Sequence, residues 1–483
     1  MSKRFYIKTY GCQMNEHDSR KIGAMLTSHG FAATETIDDA DLVLFNTCTI
    51  RDKAEQKARS EIGRTVDMKA ARPALMVGVC GCMAQQEKEL LFDRFPHIDL
   101  LFGPDQIPQL PRLLETVANE HRQVAALDLI NTPAEYEFLN LVPWGMVAGR
   151  QSSVVGNCST SVAHAGDRRL TTDDVLAVTA FVTIMKGCDA NCAYCIVPKV
   201  RGQEVCRPAD DIIAEVQALA SRGVREVTLL GQTVNTYGNR RHPDTMPFAQ
   251  LLRRIATDTD IARIRFTSPH PKDVNADLAA EYRDNPKLCH HMHLPLQSGS
   301  DAVLRAMRRS YSCEQYLAKV DLLRAACPDI ALTTDLIVGF PGENAADFAA
   351  TLCMIETVGY DAMYTFKYSP RPGTESFARL TDDVPEAAKK ERLAQLMEFS
   401  GAIGKSKLEQ KIGQTFDVLV EGNSKHGDQW TGRTTHNTIV NFSEESHIGT
   451  SARRYIGTIQ PVEITRAYGY SVEGVARLAS HIK

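Results

Sequence analysis

Six short apolar runs recur between residues 180 and 369: "AFVTIMKG" (180–187), "REVTLLG" (225–231), "RIRFTS" (263–268), "HHMHLP" (290–295), "ALTTDLIVGF" (331–340) and "DAMYTFKYS" (361–369). Helix-like stretches fill the gaps, such as "PADDIIAEVQALASRG" (208–223), with Pro near its start and Gly at its end. Strands separated by helices pair in parallel, because each helix carries the chain back to the same end of the sheet. Six such units predict an incomplete parallel (β/α)6 barrel whose active site lies at the carboxyl ends of its strands.

The flanking segments have a different texture. Before the barrel, "FYIKTYG" (5–11), "DLVLFNT" (41–47) and "ALMVGVCG" (74–81) read as strands and "DSRKIGAMLTSHG" (18–30) as a helix, the rhythm of an open parallel α/β sheet. After it, "TFDVLVEG" (415–422), "WTGRTTHNTIVNF" (430–442) and "RRYIGTIQPVEITRAYGYSVEGVA" (453–476) suggest a small β-barrel of the size of the oligonucleotide-binding barrels. The expected organisation is therefore α/β, with an N-terminal sheet domain over 1–120, a Gly- and Ser-rich linker over 121–173, a central barrel domain over 174–405 and a terminal β-barrel over 406–479. At 483 residues, several domains are also what chain length alone implies.

Thirteen cysteines, an odd number, in a chain whose N-terminus lacks signal-peptide anatomy argue for metal or redox chemistry in the cytoplasm rather than a disulfide framework. No apolar stretch approaches membrane-spanning length, so no membrane partner is expected. Cys188, Cys192 and Cys195 fall within "GCDANCAYC", directly after the first barrel run. Three thiolates can hold a zinc ion or three irons of a four-iron four-sulfur cluster. No fourth thiol stands at zinc-like spacing, and a cluster held this way keeps one iron open for a substrate. Cys12, Cys48 and Cys82 each follow one of the three N-terminal runs, so they could converge at the strand ends as a second three-thiolate site, with Cys80 as a rival to Cys82. Cys158 has no assigned role, and Cys206, Cys289, Cys313, Cys327 and Cys353 read as core residues. A net charge of −4 announces no nucleic acid globally, so any such site must be a local patch.

CxxxCxxC with an aromatic, Tyr194, at the penultimate place resembles the radical S-adenosylmethionine (SAM) superfamily. Further stretches are similar to the tRNA-type (MiaB-type) methylthiotransferases: "KTYGCQMNEHDS" (8–19), "NTCTIRDKAEQKA" (46–58), "GCMAQ" (81–85), "GCDANCAYCIVPKVRG" (187–202), "LLGQTVNTYG" (229–238), "HLPLQSGSD" (293–301), "TDLIVGFPGE" (334–343), "YSPRPGT" (368–374) and "GRTTHNTIVNF" (432–442). The resemblance implies two four-iron four-sulfur clusters, one on Cys188, Cys192 and Cys195 and an auxiliary one on Cys12, Cys48 and Cys82, with all six cysteines needed for catalysis. It implies SAM bound near Tyr194, Gln232, Gln297 and Asp335, and a terminal barrel of the TRAM type.

The implied reaction is methylthiolation of N6-isopentenyladenosine at its position-2 carbon, at position 37 of tRNA beside the anticodon, with SAM as methyl donor and radical source. The implied partners are the anticodon stem-loop carrying that nucleoside, a low-potential electron donor and a sulfur source, with the enzyme a monomer. Lys199, Arg201 and Arg207 past the thiol loop, and Arg433, Arg453 and Arg454 in the terminal barrel, are candidates for RNA phosphates, with Tyr455, Tyr468 and Tyr470 as possible stacking surfaces. Two readings compete: the same chemistry on threonylcarbamoyl-adenosine or on a ribosomal-protein aspartate, and a non-catalytic iron–sulfur RNA-binding protein.

Overall fold

A computed structural model describes residues 2–49, 52–132, 136, 177–238, 245–424, 429–444 and 455–476. Most of the expected linker, Cys158, Arg453 and Arg454 lie outside the described residues.

The N-terminal strands are β1 (Arg4–Thr9), β2 (Ala32–Ala33), β3 (Leu42–Thr47), β4 (Met76–Gly81), β5 (Leu100–Phe102) and β6 (Val124–Ala126). They form one parallel sheet in the order β2-β1-β3-β4-β5-β6. Helices α1 (Gln13–Ser28), α2 (Asp52–Ala71), α3 (Cys82–Glu87), α4 (Leu90–Arg94) and α5 (Leu110–Glu120) connect them. Both faces are covered, as in most parallel sheets, and successive side chains of β3 show it. Leu42 and Leu44 enter one core with Phe5, Ile22 and Leu114, while Val43 and Phe45 enter the opposite core with Ile62 and Val79.

The sheet extends past residue 120, because β6 pairs with β5 inside the stretch expected to be linker. β2, β5 and β6 have two or three residues each, too few to display an alternation in sequence. The helix expected over 18–30 begins at Gln13 instead, directly after Cys12. No breaker interrupts "QMNEH", and Met14, Asn15 and His17 continue its buried face.

In the central unit the chain runs through β7 (Thr179–Thr183), β8 (Met185–Lys186), α6 (Val197–Arg201), β9 (Val205–Cys206), α7 (Ala209–Ser221), β10 (Glu226–Leu230), α8 (Phe248–Asp258), β11 (Arg263–Phe266), α9 (Ala276–Asp284) and β12 (His291–His293). It continues through α10 (Asp301–Ala306), α11 (Cys313–Ala326), β13 (Ala331–Val338), α12 (Ala345–Val358), β14 (Ala362–Lys367), α13 (Glu375–Arg379) and α14 (Glu386–Glu409). Strands β7, β10 and β11 pair in parallel, as do β12, β13 and β14, and an Ile264 to Leu288 bridge joins the two groups into a six-stranded arc. One continuous core, from Val182 through Leu229 and Ile264 to Leu332 and Ile355, fills the space between arc and helices. "VGFPGE" forms a turn, with the Glu343 amide donating to the Phe340 carbonyl.

The terminal unit is a closed five-stranded barrel of β15 (Thr415–Asn423), β16 (Trp430–Arg433), β17 (Ile439–Glu444), β18 (Ile459–Ala467) and β19 (Ser471–Ala476), with a parallel β17–β19 pair completing the ring. Val418, Val440, Val462 and Val472 fill its interior. Among the described residues, no helix is long and apolar enough to cross a membrane.

Candidate active site

Cys12, Cys48 and Cys82 follow three neighbouring strands whose ends are in register, Thr9 beside Asn46 and Thr47 beside Gly81. Cys12 caps α1, Cys48 leaves β3 and Cys82 opens α3. Gly11, at φ +119°, lets the β1 exit press against Cys48: a Cβ there would stand 2.4 Å from the Cys48 Cβ and 3.0 Å from its Sγ. Asn15 ties the strand ends together, its Nδ2 donating to the carbonyls of Tyr10 (3.1 Å) and Thr47 (2.9 Å) and to Asn46 Oδ1 (3.2 Å). Burial pushes the Cys82 thiol up, while the nearby Arg201 guanidinium pulls it down. Cys80, the sequence rival, lies within β4 and packs into one of the two sheet cores.

The second triad stands at the carboxyl end of the arc. Gly187 turns in the left-handed region, where a Cβ would strike the Gln203 carbonyl, and the Cys188 amide donates to the Gly202 carbonyl at 3.1 Å. Cys188 Sγ lies 3.2 Å from Thr233 Oγ1, and Arg309 Nη1 lies 3.1 Å from Cys192 Sγ. The Cys195 amide donates to the Cys192 carbonyl, and burial with the neighbouring Cys192 pushes the Cys195 thiol up to about 12. Such a neutral thiol is ready to give up its proton only when a cation arrives to replace it.

The structure brings the two triads together around α6. Directly after Cys195, Ile196 and Val200 pack against Cys82 in one buried cluster. At the end of α6, Arg201 donates to Asp18 Oδ2 (2.9 Å) and Asn15 Oδ1 (3.2 Å) on α1. A second buried pair, Lys186 with Asp105, joins the same two units.

These contacts correct two expectations. Arg201 is 5% exposed and Arg207 3%, so neither faces an RNA phosphate. Arg201 is spent on Asp18, and Arg207 on Glu215 and on the Thr183 and Asp211 carbonyls. Lys199 is exposed. Arg433 pairs with Glu421 and Asn437. Tyr455 is half-buried against Trp430 beside the barrel core, whereas Tyr468 and Tyr470 are exposed. Cys353, read from sequence as core, is exposed on α12, and Cys313 is half-buried at the start of α11.

Of the SAM candidates, Tyr194 meets Phe340 edge to face at 6.4 Å. Gln232, just past β10, has a buried Oε1 with no hydrogen-bond partner among the described residues, which suits an acceptor held for a ligand's donor. Gln297 and Asp335 are joined through backbone, the Gln297 amide donating to the Asp335 carbonyl at 2.9 Å, and His293 Nε2 lies 3.3 Å from Asp335 Oδ2. Sequence reasoning missed Arg309, Thr233 and Glu204. The last accepts from Thr236 Oγ1 (3.1 Å) and the Asp189 amide (3.4 Å), bracing the thiol loop.

The Arg201–Asp18 pair gives a direct test of how the two units are held. Asp18→Asn leaves a buried guanidinium without its counter-charge, which should weaken the docking by about 3–5 kcal/mol. Amide hydrogen exchange across α1 and α6 should speed up accordingly, and Asp18→Asn combined with Arg201→Met should recover part of the loss.

A parallel β/α arc with a three-thiol loop at its carboxyl end is the architecture of a radical SAM protein, and residues 182–355 match the Radical SAM superfamily profile. Residues 4–103 match the profile described as Uncharacterized protein family UPF0004, and 409–477 match the TRAM domain. Curated relatives named tRNA-2-methylthio-N(6)-dimethylallyladenosine synthase are 45% identical in Syntrophobacter fumaroxidans (97% of this chain, 94% of the relative), 43% in Anaeromyxobacter dehalogenans (98% and 94%) and 41% in Coxiella burnetii (98% and 99%). Among solved structures, the radical S-adenosylmethionine methyltransferase TsrM from Kitasatospora setae aligns at a TM-score of 0.49 and 15% identity, covering 78% of this chain and 74% of that one. The chain belongs to the tRNA-2-methylthio-N(6)-dimethylallyladenosine synthase family of radical SAM methylthiotransferases.

Proposed function

We propose that the chain adds a methylthio group to the position-2 carbon of N6-isopentenyladenosine at position 37 of tRNA, with SAM as methyl donor and radical source. The observation that carries this reading is the placement of two thiol triads on either side of the short helix α6. Cys188, Cys192 and Cys195 would hold one four-iron four-sulfur cluster and Cys12, Cys48 and Cys82 the other, each set leaving one iron without a protein thiolate. Bound there, these groups and SAM supply the electron, radical, methyl and sulfur chemistry that an unactivated aromatic C–H requires.

The chain's own residues bind, orient and exclude water. Arg309 sets a buried positive charge beside Cys192, and Thr233 can donate its hydroxyl hydrogen to Cys188. Gln232 Oε1 would accept a hydrogen bond from SAM, Tyr194 would lie against its base, and Gln297 and Asp335 would contribute at later strand ends. Lys199, Arg466, Tyr468 and Tyr470, all exposed, offer phosphate and stacking contacts to the anticodon stem-loop. A low-potential electron donor and a sulfur source complete the reaction, carried out by a monomer in the cytoplasm.

The relatives' shared name favours the isopentenyl nucleoside over threonylcarbamoyl-adenosine and over a ribosomal-protein aspartate. Anaerobic incubation of the reconstituted protein with SAM, dithionite and tRNA carrying each nucleoside, followed by mass spectrometry of the digested nucleosides, tests it. The methylthio mass gain is expected on isopentenyladenosine alone; gain on the threonylcarbamoyl nucleoside instead would overturn the substrate assignment.

A further inference from the structure

At the opposite end of the arc from the thiol loop, four metal-ligating side chains meet where the terminal barrel docks. His290 directly precedes β12, Cys327 ends α11, Asp329 lies just before β13, and His436 sits in the turn between β16 and β17. One ring nitrogen of His290, the Cys327 Sγ and a carboxylate oxygen of Asp329 all lie within 4.8 Å of one another. Asp329 Oδ2 is 3.0 Å from His290 Nδ1 and 3.0 Å from His436 Nε2, while Cys327 Sγ is 3.2 Å from Asp329 Oδ1. The His290 and His436 rings stand edge to face at 5.8 Å.

The architecture holds these groups in place without help from the cluster itself. Arg263 donates to the carbonyls of Arg433 (2.8 Å) and Asp417 (2.9 Å), and Arg265 to those of Thr435 (2.9 Å) and Thr434 (2.5 Å), so the β16–β17 turn is pinned against the arc. Within the turn, the Asn437 amide donates to the Thr434 carbonyl at 3.1 Å, and Phe416 packs edge-on against His436 at 5.7 Å. His436 is thereby aimed at Asp329. Cys327 is buried, whereas Asp329 and His290 reach solvent and leave an entry path.

We infer that His290, Cys327, Asp329 and His436 form a binding site for a zinc ion that fastens the terminal β-barrel to the radical SAM arc. The donor set matches zinc chemistry: the mutually close thiol, imidazole and carboxylate of Cys327, His290 and Asp329 supply three ligands, and the His436 imidazole, which reaches that set at Asp329 Oδ2, supplies the fourth. A thiolate and a carboxylate neutralise the dication, so the ion enters the interface with no net charge to bury. Three ligands come from the arc and one from the terminal barrel, which makes the ion a crosslink between units that share few covalent constraints. The site is independent of the methylthiotransferase reading, because none of its residues belongs to either triad.

The test uses the full-length, cluster-containing protein, equilibrated with zinc chloride, desalted, and analysed for zinc and iron by mass spectrometry. About one zinc per chain is expected, with Zn K-edge absorption fitting one sulfur near 2.3 Å and three nitrogen or oxygen ligands near 2.0 Å. Cys327→Ser and His436→Gln should each lower bound zinc at least about tenfold with iron unchanged. Zinc should also raise the thermal midpoint of the wild-type chain and not that of His436→Gln. Less than about a tenth of a zinc per chain, or zinc that persists in Cys327→Ser while iron falls, would overturn the site; the second result would place the metal on the cluster cysteines.

Discussion

Alanine at Cys188, Cys192 or Cys195 is expected to lower SAM cleavage by at least about 10³-fold, since the margin an enzyme holds over the uncatalysed reaction commonly exceeds about 10⁶. The three thiols are pinned from both sides by the Gly187 turn, the Cys188–Gly202 backbone bond and the Cys192–Arg309 contact. No other thiol of the loop can substitute: Cys206, the next in sequence, is committed to the core beneath α7. Loss of one ligand from a three-thiolate set should therefore empty that cluster and halve the iron per chain, while the Cys12, Cys48 and Cys82 set remains. The measurement is 5′-deoxyadenosine release under dithionite, together with iron and sulfide counts. Cleavage at the wild-type rate in any of the three variants would remove the loop from the chemistry.

Gly11→Ala should give the opposite pattern. At φ +119° an L side chain costs about 1–3 kcal/mol in backbone strain alone. The added Cβ would also stand 2.4 Å from the Cys48 Cβ, far inside contact distance, so the Cys12 end of β1 must move away from β3. The N-terminal sheet should survive, because its two cores lie below the strand ends. We expect methylthio product to fall by at least about a hundredfold, reflecting a misplaced ligand set. Iron should drop by about half while SAM cleavage persists. A variant with full iron and full product would show that the close approach of Gly11 to Cys48 is incidental to the auxiliary site.

The contrast between these two variants reflects which features were legible in the sequence. Strand-end cysteines could be read because a parallel sheet delivers its loops to one edge, and Cys12, Cys48 and Cys82 each follow an apolar run. The barrel was legible for the same reason, through β7, β10, β11, β12, β13 and β14. Arg201 and Arg207 were misread because a sequence does not tell which way a charged side chain turns. Asp18, which draws Arg201 inward, lies 183 residues away. Arg309 reaches Cys192 from a separation of 117 residues, again with no local spacing to reveal it. His290, Cys327, Asp329 and His436 escaped notice because their nearness depends on domain docking, and scattered single ligands form no motif.

The helix between the two triads has a consequence for how a nucleoside can be served. α6 is five residues long, with Ile196 and Val200 at its two ends both packed on Cys82 and its last residue, Arg201, bound to Asp18. A carrier arm that ferries sulfur from one station to another has no room to swing. With both thiol sets held on one short connection, it is the nucleotide that has to travel, everted from the stacked anticodon loop at a cost of roughly a few kcal/mol. Selection of the tRNA then rests partly on how readily its loop releases that base.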